Sequence, residues 1–151
     1  MKYYDNRDNP GKKKKDKSNV LSYTKLTNKN YVELAKNVIE TIKPNSKNSN
    51  SKGVITTTKL RSILSLNSEI YNMVNRGSET LSEEVEAKLQ YLKVKIIYEM
   101  GREESVKTFC ENAHLTDCIN DIDGTKTSYI LFARYLEALV AYRKYIIGHD
   151  K

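Results

Sequence analysis

Apolar residues in this chain recur at three- and four-residue intervals, and no convincing stretch alternates with the period of two that a half-buried strand requires. That spacing lines up side chains along one side of a helix. Asn30, followed three residues later by Glu33, opens a first stripe of Tyr31, Leu34, Ala35, Val38, Ile39 and Ile42, which Pro44 stops. The threonines Thr56 to Thr58 offer caps for a second helix that buries Leu60, Ile63, Leu64, Ile70, Tyr71 and Val74 and ends near Gly77. Ser82 caps a long third helix, with Glu83 and Glu84 in the first turn beside the positive end of the dipole. One stripe there holds Val85, Leu89, Leu92, Ile96 and Met100, and a second holds Tyr91, Val94 and Tyr98. Two stripes predict a central helix with neighbours packed on both sides. A fourth helical stretch, Glu104 to Asn120, carries Val106, Phe109, Cys110, Ala113, Leu115 and Ile119. Beyond the Asp123–Gly124 turn, a last helix from about Lys126 to Ile147 offers Ile130, Leu131, Ala133, Leu136, Ala138, Leu139, Val140 and Ile146 to the core. The expected fold class is all-α, a compact bundle of about five helices with a disordered basic N-terminal tail.

At 151 residues there is room for one domain. Residues 1–53 hold thirteen Lys or Arg against five Asp or Glu, whereas residues 54–151 hold thirteen against fourteen. The positive charge is therefore an arm on a near-neutral body, and any anion-binding face of the body must come from arrangement rather than excess charge. Residues 1–28 contain too little apolar surface to offset the entropy of ordering, which predicts a flexible tail ahead of a single helical domain at 29–148. Within that domain residues 45–53 form a polar loop, where Lys47 and Lys52 are mobile positive charges. Two cysteines eight positions apart, with no signal-like apolar stretch at the N-terminus, point to a reducing cytoplasm without a disulfide framework. The most apolar region, Tyr129 to Tyr142, is too short for the ~20 residues of a membrane span and includes Arg134 and Glu137.

Three segments, Ile55 to Arg61 (ITTTKLR), Leu92 to Glu103 (LKVKIIYEMGRE) and Phe132 to Tyr142 (FARYLEALVAY), carry basic residues among apolar ones. In this order and at these separations they resemble the small helical subunit of type III-A CRISPR effector complexes, the Csm complexes. The resemblance runs from about Val54 to Tyr145 and leaves the lysine run at Lys12 to Lys15 outside it. It implies a non-catalytic subunit in antiviral defence, several copies of which line the groove beside the guide crRNA and help to hold target RNA. The implied partners are the target RNA and guide crRNA duplex, the repeated backbone subunits of ferredoxin-like fold, the large subunit, and further copies of the chain itself. RNA cleavage would belong to the backbone subunits, and no cofactor or membrane is implied.

The candidate RNA-binding residues are Lys52, Lys59, Arg61, Lys88, Lys95, Arg102 and Arg134. Lys59 and Arg61 fall in the first turns of their helix, opposite the stripe set by Leu60, Ile63 and Leu64, where backbone amides also favour a phosphate. The alternative is a solvated helix face; the position of TTTKLR within the resemblance favours contact. Lys88, Lys95 and Arg102 are seven residues apart and share one side of their helix. Glu84 and Glu99 stand four residues from Lys88 and Lys95, so intrahelical ion pairs of ~0.2–0.5 kcal/mol each are the competing use. Lys93 points elsewhere, towards a subunit contact. Arg134 has Glu137 three residues on, leaving an ion pair and a phosphate contact both open. Arg143 and Lys144 read as ordinary charges at a helix C-terminus.

Other chemistry finds little support. Cys110, His114 and Cys118 would share one helix face, but three ligands without a fourth make a weak metal site, and buried cysteine is the commoner arrangement. Asp121, Asp123 and Gly124 lack the remaining ligands of a calcium loop. There is no phosphate-binding glycine loop, no nucleophile with a paired His and no carboxylate pair in a context that raises a pKa. Eleven tyrosines are available to stack on bases, yet Tyr71, Tyr91, Tyr98 and Tyr135 fall at core spacing. The alternative function is a helical adaptor that binds only protein.

Overall fold

The computed structural model describes residues 20–44 and 53–148. These residues form six α-helices: α1 (Tyr31–Ile42), α2 (Thr57–Asn75), α3 (Glu83–Arg102), α4 (Glu104–Ala113), α5 (Leu115–Asn120) and α6 (Lys126–Tyr142), followed by a π-helical turn, Arg143–Ile147. No strand occurs among the described residues, and the single isolated bridge joins Thr80 to Thr125. The caps follow the sequence closely. The side chains of Thr56, Ser82 and Thr125 accept from the amides of Lys59, Val85 and Ser128, so each supplies a partner to an otherwise orphaned N–H at the start of α2, α3 and α6. Asn30 instead braces the preceding turn, accepting from the Thr27 amide at 2.8 Å and donating to the Lys25 carbonyl at 3.0 Å.

Helix α6 packs against α1 and α2, α3 against α2 and α4, and α1 also against α4. Their shared interior contains Ile39, Leu92, Ile96, Phe109, Leu115, Tyr129, Phe132, Leu136 and Leu139, all essentially sealed from solvent. At ~1.5–3 kcal/mol for each large side chain removed from water, this cluster is the main term holding the helices together. Two buried hydroxyls have partners within it. Tyr129 donates to Asn67 Oδ1 at 2.6 Å, and Tyr135 donates to the Ala113 carbonyl at 2.9 Å at the end of α4.

Four expectations need correction. The stretch Glu104 to Asn120 is two helices, because His114 adopts the left-handed conformation (φ 54°) and turns the chain between α4 and α5. The α-helix after Thr125 ends at Tyr142 rather than Ile147. Residues 20–28, expected to lie in the mobile tail, are an ordered strap: the Leu21 amide donates to Asn112 Oδ1 at 2.8 Å, and the Leu21 carbonyl accepts from His114 Nε2 at 2.6 Å. Leu21 and Leu26 pack against the core. The rest of that tail, and the loop lysines Lys47 and Lys52, lie outside the described residues. Finally, α3 is not covered on both sides. Tyr91, Val94 and Tyr98 are more than half exposed, as is Ile97 beside them.

Candidate nucleic-acid interface

Helix α2 lies between α3 and α6, and the two basic residues near its start face opposite flanks. Lys59 points to α3, where its Nζ lies 3.2 Å from Glu99 Oε1 and 3.8 Å from Glu103 Oε2, with a side chain only 23% exposed. The expectation that Lys59 stands free on the solvent side is thereby corrected. Arg61 points to α6 and is exposed. It borders a hollow of about 400 Å³ floored by Leu60, Leu64 and Val140, with Lys144 on the far rim. A second hollow of about 640 Å³ occupies the same α2–α6 groove and is bordered by Tyr71, Asn72, Arg134 and Glu137. Arg61 and Arg134, distant in sequence, thus belong to one groove. Neither has a carboxylate within ion-pair distance among the described residues, so the Arg134–Glu137 pair does not form.

Arg143, expected as an ordinary terminal charge, is instead buried to 4% exposure. Its Nε donates to the Ile55 carbonyl at 3.1 Å and its Nη1 to the Gly148 carbonyl at 2.6 Å, tying the segment before α2 to the end of the last helix. Lys144, next to it, stays exposed at the groove.

The third set lies along α3. Val85, Leu89, Leu92 and Ile96 anchor that helix in the core, which fixes the direction of Lys88, Lys95 and Arg102 on its outer side. The competing arrangement, intrahelical pairs of Lys88 with Glu84 and of Lys95 with Glu99, is absent: Lys88 and Lys95 have no carboxylate within ion-pair distance among the described residues. Glu99 turns inward to Lys59 and also meets Arg102 Nη1 at 3.5 Å. Lys95 and Arg102 both lie against the ring of Tyr98, at 5.6 and 5.7 Å from its centroid. Lys93 is directed away, donating to Asn120 Oδ1 on α5. Tyr91 and Tyr98 fall at core spacing, yet their rings are exposed. A signal that marks them apart is the repeated Lys-x-x-Tyr spacing of Lys88–Tyr91 and Lys95–Tyr98.

Cys110 and Cys118 are buried and unpaired, and no group of metal-ligating residues occurs among the described residues. Burial pushes both thiols up to about 12, with Glu111 adding to the effect at Cys110 and Asp117 at Cys118. His114 is committed to the strap, with Tyr23 against its ring and Asp117 Oδ2 3.1 Å from Nδ1. No described helix is long and apolar enough to cross a membrane.

The family described as Csm2 Type III-A matches residues 35–149, a wider span than the sequence motifs indicate because it takes in most of α1. Among curated relatives, "CRISPR system Cms protein Csm2" of Mycobacterium tuberculosis (strain CDC 1551 / Oshkosh) is 40% identical over 98 residues, covering 64% of this chain and 79% of the relative. The protein of the same name from Streptococcus thermophilus is 35% identical over 125 residues, 83% of this chain and 98% of the relative. That from Enterococcus italicus is 43% identical over 94 residues, 60% and 67% respectively.

Proposed function

The chain belongs to the Csm2 family, the non-catalytic small subunit of type III-A CRISPR Csm complexes, and from that premise we propose that it holds target RNA beside the guide through the RNA's phosphates. The observation that carries this reading is the outer edge of α3. Among the described residues Lys88 and Lys95 stand there without carboxylate partners, although Glu84 and Glu99 occupy positions from which i,i+4 pairing is possible. Uncompensated charge on a helix fixed by its buried side meets a polyanion without reorganising. Phosphate contacts set position and register without reading bases, so sequence would be read by pairing with the guide. Arg61, Arg134 and Lys144 in the α2–α6 groove offer a second phosphate track, and Lys59 contributes through the position of α3 as well as its own charge.

The test is target-RNA binding by complexes reconstituted with Lys88→Ala plus Lys95→Ala, and with the corresponding Glu substitutions. Binding should weaken with Ala and weaken further with Glu, at unchanged incorporation of the subunit. Equal binding by all three complexes would remove α3 from the RNA track.

Membership of the complex gives the chain the other Csm subunits and the crRNA as its setting. A protein contact is favoured where Val94 and Ile97 are exposed on α3 next to Tyr91 and Tyr98. Backbone subunits, the large subunit and further copies of this chain are the candidate occupants.

A further inference from the structure

We propose that Tyr91 and Tyr98 are stacking platforms for bases of single-stranded RNA, so that the α3 edge binds nucleotides by ring and phosphate together. The inference rests on the RNA-binding reading above and extends it from the backbone to the bases. Tyr91 is 55% exposed and Tyr98 56%, so each ring has a surface open to a ligand. Each belongs to a Lys-x-x-Tyr unit, Lys88–Tyr91 and Lys95–Tyr98, and the units repeat after seven residues. Seven residues advance a helix by about 10.5 Å while returning to nearly the same side. The rings therefore follow one line, separated by more than the ~3.4 Å spacing of stacked bases, and serve two distinct bases.

The charges around Tyr98 complete the case for this occupant. Lys95 Nζ and Arg102 Cζ stand 5.6 and 5.7 Å from the ring centroid, held there by the ring's negative face. A nucleotide supplies what both components need: its base replaces the cations over the ring, and its phosphates receive the cations. Glu99 is shared between Lys59 and Arg102, which leaves Lys95 as the cation at the ring with no carboxylate within ion-pair distance among the described residues. An aromatic surface bordered by cations complements a single strand, since every base has a stacking face and every linkage a charge.

The experiment uses the full chain, a short oligouridylate and an abasic ribose-phosphate strand of the same length. The chain contains no tryptophan, so Tyr98→Trp introduces a single indole whose fluorescence reports on its own surroundings. Oligouridylate should quench that fluorescence and the abasic strand should not. Tyr98→Ala should weaken oligouridylate binding roughly five- to a hundredfold, the range of a lost base–aromatic stack, while leaving the abasic strand's affinity unchanged. Tyr98→Phe should retain full binding. Equal affinity of the unmodified chain for the two strands, with no quenching, would overturn stacking and leave the phosphate reading intact. Absence of salt-sensitive binding to either strand would overturn both. If Tyr91→Ala plus Tyr98→Ala binds oligouridylate normally but no longer joins the complex, the face is a protein interface and the proposal fails.

Discussion

Nζ of Lys59 on α2 lies 3.2 Å from Oε1 of Glu99 on α3, a contact across forty residues of sequence that joins two helices. Glu99 is 16% exposed and is also approached by Arg102, so it is the centre of a small network. Lys59→Ala should therefore destabilise the protein by about 1 kcal/mol, the upper end for a pair that solvent still reaches. Arg61→Ala, two residues on and without an ion pair among the described residues, should change stability by less than ~0.5 kcal/mol. Denaturant unfolding checks both values, and a double-mutant cycle of Lys59→Ala with Glu99→Ala measures the coupling. Equal stability of the two single variants would show that the network contributes nothing.

The strap of residues 20–28 should behave as part of the domain. A chain beginning at residue 29 loses the Leu21 hydrogen bonds to Asn112 and His114, and the packing of Leu21 and Leu26. Compared with a chain beginning at residue 20, it should be less stable by about 2–3 kcal/mol, because the buried Asn112 is left with an unmet acceptor and apolar surface is uncovered. Matching midpoints in urea for the two chains would refute a stabilising role for the strap.

Arg143→Ala should be more damaging than any substitution of the exposed cations. It leaves the Ile55 carbonyl without its buried donor and detaches the end of the last helix from the segment entering α2. The expected loss is about 2–4 kcal/mol, read by chemical denaturation. Lys144→Ala, the exposed neighbour, is the control and should unfold like the unmodified chain.

The buried thiols make stability fall at high pH. Cys110 and Cys118 are held up at about 12 in the folded protein, chiefly by burial, against a reference value of 9.0. Between those values the unfolded chain gives up protons that the folded chain retains. The unfolded state therefore gains with rising pH, by up to ~1.4 kcal/mol per pH unit for each thiol in that window. The contribution is fully present below pH 9 and should be lost as pH climbs towards 12. Cys110→Ala plus Cys118→Ala should flatten the alkaline slope even though it lowers stability at neutral pH. An unchanged slope would assign the alkaline loss to other groups.

The helices were legible from single stretches of chain because their causes are local. Thr56, Ser82 and Thr125 cap helices through bonds to amides three residues away, and Pro44 stops α1 by its own geometry. His114 was harder to read: its left-handed turn lies within an unbroken helical pattern and is accompanied by contacts to a strap some ninety residues earlier. The candidate site was legible in part. The Lys88, Lys95 and Arg102 alignment follows from helical repeat alone, whereas placing Arg61 and Lys144 at one hollow and Arg134 at the next along the same groove requires α2 and α6 to be adjacent.

By itself the sequence determined an all-α chain, its main helix starts, the apolar side of each helix, and the three segments that mark its family. Only tertiary structure decided what covers each side. Tyr98 and Leu92 both fall at helical apolar spacing on α3, yet Leu92 is sealed in the core and Tyr98 faces outward. Arg143 and Lys144 are adjacent cations, yet one is buried and the other open. Periodicity fixes which residues share a helix face, a property of the backbone repeat. Whether that face meets another helix or solvent depends on contacts made by residues far away in the chain.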